Sequence, residues 1–326
     1  MDKIRWGIIG PGGIAKKFAS DLQLVADGEL VAVASRNLER AQEFAQLYHA
    51  PKAFGSYEEL FAYEEVDALY IATPHTSHAA LTIEALKHGK HVLCEKPIAV
   101  SAEDAEKMVA EAKKQKVFLM EAMWSRFNPT IKKVKELVDS GAIGDVGYVN
   151  ADFTFNGLSK PEDGRLLNPE LAGGSILDIG IYPLFLAYLF LGKPKNILAD
   201  ANFYKTGVEL QTSVILSYGN AQAILHSGLG TNYEVKAKIV GVNGTLSLLP
   251  DWHRTQGYIL EVDNTATTVK LPTSGIGYSH EIEEVHKCLK EGKIESSLWS
   301  HQNSLDLIQL MDKIREIVGV KFPFEK

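Results

Sequence analysis

The run Ile4-Arg5-Trp6-Gly7-Ile8-Ile9 passes directly into Gly10-Pro11-Gly12-Gly13-Ile14-Ala15, and an amphipathic stretch from Ile14 to Val25 follows. Strand, G-x-G-x-x-A turn and helix, in that order, constrain the fold more than any other stretch. The first glycine permits a tight turn and the second lets backbone approach a pyrophosphate. The small Ala15 lets the helix lie close to the strand, and the helix N-terminus faces the phosphates. A Gly-rich turn in some other α/β fold is the competing reading; the flanking strand and helix argue against it. Gly10, Gly12, Gly13 and Ile14 are thus candidate cofactor-binding residues.

The second strand, Leu30-Val31-Ala32-Val33-Ala34, ends in Ser35-Arg36-Asn37. A site for NAD(H) places a carboxylate about 20 residues after the glycines, to accept the ribose hydroxyls. None stands here. Arg36 offers a planar cation to a 2′-phosphate or a stacking surface to adenine, and Ser35 adds a hydroxyl. NADP(H) is therefore expected over NAD(H), with Arg36 as a solvated surface charge the alternative. Helices capped by Asn37 and Ser56 follow, then the strand Ala68–Ala72. It ends in Thr73-Pro74-His75-Thr76-Ser77-His78, where Thr73, Pro74 and His78 should edge the cofactor crevice. His75-x-x-His78 lacks an evident third ligand for a metal, and Thr76 or Ser77 is expected to cap a helix that stops at Gly89.

His91-Val92-Leu93-Cys94-Glu95-Lys96-Pro97 reads as a buried strand ending in a charged pair and a proline. A lysine at the carboxyl end of an inner strand lies where such sheets bind their ligands. Taken alone, Glu95 and Lys96 could equally be a strand-terminating ion pair. Cys94 reads as a core thiol. A capped helix from Ser101 and the strand Val117–Glu121 complete the alternating pattern, which predicts a parallel sheet.

Past this point the pattern changes. Hairpin signals at Ser217–Ala221, Val242–Thr245 and Val262–Thr265 join alternating strands, so a large, mostly antiparallel open sheet is expected. The fold class is an α/β Rossmann-type parallel-sheet domain plus an α+β domain, with residues 1–122 binding NADP and residues 123–326 binding substrate and dimerising. The 326 residues, 45% hydrophobic and 23% charged, suit about two soluble domains. A net charge of -7 argues against nucleic acid or an anionic membrane as partner. The start lacks a signal-peptide pattern, and the longest apolar run, Tyr182–Leu191, is read as too short to span a bilayer. With two widely spaced cysteines matching no metal spacing, a cytoplasmic protein without a metal site is expected.

Gly10-x-Gly12-x-x-Ala15, Glu95-Lys96-Pro97 and Gly173-Gly174-x-x-x-Asp178-x-Gly180-x-Tyr182 together resemble the Gfo/Idh/MocA oxidoreductases, and within them the dimeric dihydrodiol dehydrogenase branch. Leu119–Phe127 and Leu177–Tyr182 carry the closer likeness. The resemblance implies an NADP-type cofactor flanked by Trp124 and Arg126, a homodimer built on the open sheet face, and Tyr182 where many members carry histidine. The implied chemistry is hydride transfer between a secondary alcohol, a trans-dihydrodiol or pyranose sugar, and the nicotinamide. Tyr182 would be the general acid/base. Lys96 would lower the pKa of its phenol, ordinarily near ~10, and could bond the cofactor ribose or substrate oxygen.

Asp178 is expected on the same helical face as Tyr182, orienting substrate or lysine, unless the helix begins only near Ile181 and Asp178 is a cap. Phe153, Phe155, Asn156 and Trp252, with Tyr278, are the candidate substrate residues, each of which could instead be a core or interface aromatic. A catalytically weak NADP(H)-sensing regulatory protein on the same fold is the alternative function, and internal redox cycling of a tightly held cofactor is a third.

Overall fold

The computed structural model describes residues 3–232 and 235–325. Its first sheet is made of β1 (Ile4–Ile9), β2 (Gly28–Ala34), β3 (Lys52–Phe54), β4 (Ala68–Ile71), β5 (His91–Glu95) and β6 (Leu119–Ala122). The strands lie in the order β3-β2-β1-β4-β5-β6 and all pair in parallel. Strand order reverses direction between β1 and β4, and ligands of such sheets bind beyond the carboxyl ends of the strands at that point. Between the strands run α1 (Gly13–Leu22), α2 (Leu38–Tyr48), α3 (Tyr57–Phe61), α4 (His78–Lys87) and α5 (Ala102–Gln115).

Local chemistry sets these boundaries. The side chains of Asn37, Ser56 and Ser101 accept the backbone N–H groups of Arg40, Glu59 and Asp104, which caps α2, α3 and α5. Ser77 does not behave as expected. Its hydroxyl donates to Pro74 O and Thr73 Oγ1 (both 2.8 Å) and makes no cap bond to α4. Pro74 initiates a short 3₁₀ turn there, and the hydroxyl serves that turn instead.

The later elements are α6 (Pro129–Asp139), β7 (Val146–Thr154), α7 (Ile181–Leu191), the strands β8 (Asn196–Phe203), β9 (Glu209–Ser217), β10 (Gln222–Gly228), β11 (Ala237–Gly241), β12 (Gly244–Leu248), β13 (Gly257–Val262) and β14 (Thr265–Lys270), then α8 (Ser279–Lys290) and α9 (His301–Val318). The eight strands form one sheet, β14-β13-β12-β11-β7-β10-β9-β8, antiparallel except where β7 meets β10. All three anticipated hairpins are present. Burial alternates along β9 and β10, with Thr212, Val214, Leu216, Ala223, Leu225 and Ser227 inward. That covered face packs on α7.

The helical stretch Pro169–Leu191 is, by length and composition, able to cross a bilayer, which corrects the expectation that no apolar run was long enough. Irregular turns extend α7 backwards, so the apolar run is longer than the sequence pattern suggested. It is a core helix: 78% of its most apolar window is buried.

The chain divides into two compact units: the chain up to Phe127 together with Ser274–Leu305, and Asn128–Thr273 together with the chain from Asp306 onward. The single expected boundary after residue 122 thus becomes an interleaved one, because α8 belongs with the nucleotide-fold unit. Asp21 on α1 accepts the backbone N–H groups of Ile276, Gly277 and Tyr278 at 2.7–2.9 Å, an external cap on α8. Trp6 Nε1 donates to His286 Nε2 (2.8 Å), whose Nδ1 meets Asp27 Oδ1 (2.8 Å). Burial holds the His286 ring below its ordinary pKa, which keeps Nε2 an acceptor for Trp6.

Candidate active site

In the first unit the candidate residues gather at the carboxyl ends of the parallel strands. Gly10 closes β1 with φ 84°, and a Cβ there would lie 2.9 Å from Thr73 Cγ2 and 3.0 Å from Ala72 O. Only glycine satisfies both the backbone and the space. Gly12 and Gly13 are different: a Cβ at Gly13 would meet nothing within 4 Å, and one at Gly12 only Gly10 O at 3.9 Å. The chain leaves this cradle open, as a pyrophosphate over a helix N-terminus requires. At the end of β2, Ser35 is buried and accepts the Asn37 N–H, while Arg36 is exposed.

The turn after β5 is held from four sides. Tyr70 donates its hydroxyl to Glu95 Oε1, and Glu95 Oε2 accepts the backbone N–H of Lys96 at 3.1 Å. Glu95 therefore serves the turn through these bonds rather than acting only as a surface partner for the lysine. His78 is fully buried, with Nδ1 bonded to Pro97 O (2.8 Å) and Nε2 to Thr73 O (2.9 Å). It ties the ends of β4 and β5 together. Glu121 Oε1 accepts the Ile98 N–H (2.9 Å), while its Oε2 accepts Trp299 Nε1 (3.0 Å) and Ser304 Oγ (2.7 Å). Burial raises the Glu121 pKa and lowers that of His78. The Lys96-Pro97 peptide is cis. Cys94 is a buried core thiol, pushed up in pKa by burial.

Trp124 stacks on Tyr278 with ring centroids 4.9 Å apart and planes 6° from parallel. Tyr278 thus lies in the first unit, not among the sheet aromatics with which it was grouped, because Asp21 pins its backbone there. Arg126 is buried and its Nε donates to Leu298 O (2.9 Å).

In the second unit, Ile176–Gly180 is a π-helical turn and α7 begins at Ile181. Asp178 and Tyr182 therefore do not share the face of one regular helix. Pro183 lacks the N–H that would continue an α-helix back to Ile179, and the wider turn precedes it. Asp178 is buried in that turn and its Oδ1 receives Arg165 Nη1 at 2.7 Å, so it is an ion-pair partner and not a cap. Tyr182, only 5% exposed, packs against Phe153 (5.2 Å between centroids) and His253 (5.6 Å), and Phe153 stacks on His253 at 4.3 Å.

The other substrate candidates make contacts of their own. Phe155 packs on the Leu166, Leu167 and Val208 cluster. Asn156 is exposed and its carbonyl accepts the Leu158 N–H. Trp252 is fully buried, donating Nε1 to Asp152 O at 2.9 Å. Arg165 and His253 were not singled out from the sequence. His253 adjoins the flagged Trp252, whereas Arg165 carried no signal.

A family model described as "Oxidoreductase family, NAD-binding Rossmann fold" matches residues 4–123, and one described as "GFO/IDH/MocA C-terminal domain" matches residues 131–247. The chain belongs to the Gfo/Idh/MocA oxidoreductase family. It is 37% identical to the trans-1,2-dihydrobenzene-1,2-diol dehydrogenase of Xenopus tropicalis over 330 residues, covering 98% of this chain and 99% of that one. The Sus scrofa enzyme of the same name is also 37% identical, over 338 residues and 99% of each chain. Among solved structures, a 3-ketoreductase from Actinomadura kijaniata in complex with NADP and TDP-benzene superimposes with a TM-score of 0.88 at 27% identity, covering 97% of this chain and 98% of that one. The family assignment and the open glycine cradle agree: this is an NAD(P)-binding oxidoreductase whose curated relatives are dihydrodiol dehydrogenases.

Proposed function

We propose that this enzyme is an NADP-dependent dehydrogenase that interconverts a secondary alcohol, a trans-dihydrodiol or a pyranose sugar, and its carbonyl. The observation that carries the reading is the turn after β5. Buried Tyr70, Glu95, His78 and Glu121 all serve to fix a short loop whose exposed-side product is one half-buried lysine. Such investment in one side chain's direction is typical of a reacting centre.

Gly10, Gly12, Gly13 and Ile14 would hold the pyrophosphate, and Ser35 and Arg36 the adenosine end. Thr73, Pro74, His78, Glu95, Lys96, Trp124 and Arg126 would line or support the remainder. Bound there, the nicotinamide supplies or accepts the hydride. Tyr182 donates a proton to the nascent alkoxide in reduction and takes it in oxidation. Lys96 contributes the positive charge that favours the phenolate. Asp178 keeps Arg165 over the turn, and Phe153 with His253 offers flat faces against which a carbocycle or sugar ring stacks. The dihydrodiol dehydrogenase relatives support a trans-dihydrodiol, and the 3-ketoreductase supports the interconversion of a carbonyl and its alcohol with NADP. The test is a panel of cyclic trans-diols and pyranoses with NADP and with NAD, followed by the absorbance of the reduced nicotinamide. A protein that turns over none of them, yet binds NADPH, would favour a sensing role.

Arg36 decides the cofactor. Its guanidinium is exposed at the end of β2, where the sequence Ser35-Arg36-Asn37 holds no carboxylate that would favour a free ribose. Arg36→Ala should raise the KM for NADP by about 10-fold to 100-fold, as expected for losing a charge-assisted bond of roughly 1.5–3 kcal/mol. The KM for NAD should stay nearly constant. An equal change for both cofactors would overturn the preference.

The uncovered face of the large sheet supports a homodimer. Leu198, Ile215 and Ile224 stand in one cross-strand row on β8, β9 and β10, and are 65%, 36% and 43% exposed. A row of exposed aliphatics on a flat sheet suits a second copy of the same surface. Ile215→Lys should convert a dimer to a monomer in sedimentation velocity without lowering NADPH affinity; a sedimentation coefficient unchanged from the wild type would reject this face. The free, buried Cys94 and Cys288 fit a cytoplasmic protein.

A further inference from the structure

The π-helical turn that leads into Tyr182 rests on a carboxyl group from another strand. On β9, Thr212, Val214 and Leu216 point to the covered face and Ser213 and Ile215 away from it. Simple alternation would put Leu210 inward and Glu209 outward. The pairing with β8 breaks this pattern: Asn202 faces Gln211, but Phe203 faces Glu209, which leaves Leu210 as an extra residue. A bulge of this kind re-aims the next side chain. Glu209 is consequently 1% exposed, and its Oε1 accepts the Ile176 N–H at 2.7 Å.

The glycine pair of the motif is shaped by the same contact. Gly174 has φ 119°, and a Cβ there would overlap both carboxyl oxygens of Glu209. Gly173 is confined by Leu166 O at 2.8 Å and Asn168 O at 2.9 Å from its would-be Cβ. Next to them Ser175 Oγ bonds Ser227 Oγ at 3.0 Å, so the turn is seated on β9 and β10 by polar contacts as well as packing. The Ser175 and Glu209 backbone N–H groups also act on the carboxyl, yet burial outweighs them and raises its pKa. Burying a carboxyl group is costly, so a glutamate there is a poor choice for stability alone.

We propose that Glu209 is a positioning residue for Tyr182: its Oε1 anchors the first N–H of the π-helical turn and so fixes the direction in which α7 presents the phenol. The inference rests on the reading of Tyr182 as the proton donor. Burial pushes Glu209 up to about 7, so near neutral pH much of it is already uncharged and glutamine is a close mimic. Arg315 is the charged side chain that acts on it, and its charge opposes that rise.

The test compares Glu209→Gln, which keeps the acceptor oxygen, with Glu209→Met, which fills the space without one, and Glu209→Asp, which withdraws the carboxyl by one methylene. NADPH binding, followed by nicotinamide fluorescence, should match the wild type in all three. Turnover of the best substrate should stay within about threefold for Glu209→Gln and fall by about 30-fold to 100-fold for Glu209→Met and Glu209→Asp, since small misplacements of a reacting group cost about that much. Either of the latter two decides the matter if the other fails to fold. Wild-type turnover in whichever folds, or an equal loss in Glu209→Gln, would overturn the proposal. Tyr182→Phe is measured in parallel. If it alone retains full turnover, the reading of Tyr182 has failed; if it is inactive while the Glu209 variants are unaffected, only the positioning role has.

Discussion

Tyr182→Phe is expected to lower turnover by about 10³-fold, within the range that a positioned general acid or base contributes. NADPH affinity should be unchanged. The substitution removes one oxygen and keeps the ring that packs against Phe153 and His253, so the buried start of α7 stays filled. The loss should therefore appear in kcat for both oxidation and reduction, because in the proposed mechanism the same hydroxyl gives the proton in one direction and takes it in the other. KM should move little, as the rings of Phe153 and His253, proposed above to receive the substrate, remain. Single-turnover measurement with enzyme-bound NADPH isolates the chemical step from product release. A chemical step within threefold of the wild type would remove Tyr182 from the reaction and leave the proton to another group, of which His253 is the nearest imidazole described.

Much of this architecture is legible because the deciding interactions are local. Gly10, Gly12 and Ala15 lie within six residues, and the helix caps at Asn37, Ser56 and Ser101 act on N–H groups three residues away. The hairpins after β9, β11 and β13 are likewise announced by their own turn residues. What the sequence could not disclose depends on partners far along the chain. Asp178 read as a helix-face residue or a cap, and its actual partner, Arg165, comes from a loop with no periodic pattern. Tyr278 read as a pocket aromatic beside the sheet strands, but Asp21, more than 250 residues earlier, holds it in the other unit. Glu209 gave no signal at all: a single extra residue in β9 turns it inward, and side-chain alternation by itself assigns it to the opposite face. The glycine pair at 173 and 174 did register, as a motif, and its physical cause is crowding by backbone carbonyls and that carboxyl group.

The second large effect is expected at Lys96. Lys96→Ala should reduce turnover by about 10²-fold to 10³-fold, the usual cost of removing one fixed charge from a developing oxyanion. The fold should survive. The turn is secured by the Lys96 backbone N–H on Glu95, by His78 on Pro97 and by Glu121 on Ile98, none of which needs the ammonium group. If Lys96 acts on the phenol as proposed, it favours the ionised form, so the pH at which alcohol oxidation reaches half its maximum should move upward when the cation is lost. Lys96→Arg keeps the charge but spreads it over a planar, less hydrated group, and should recover part of the rate without restoring the profile. Millimolar ethylamine added to Lys96→Ala offers a free ammonium of the same chemistry and should raise turnover in proportion to its concentration. A Lys96→Ala enzyme with unchanged pH dependence and rate would show that the charge does not act on the proton transfer. The polar groups gathered around that turn would then have to be explained by cofactor binding alone, and NADPH affinity in the same variant would decide it.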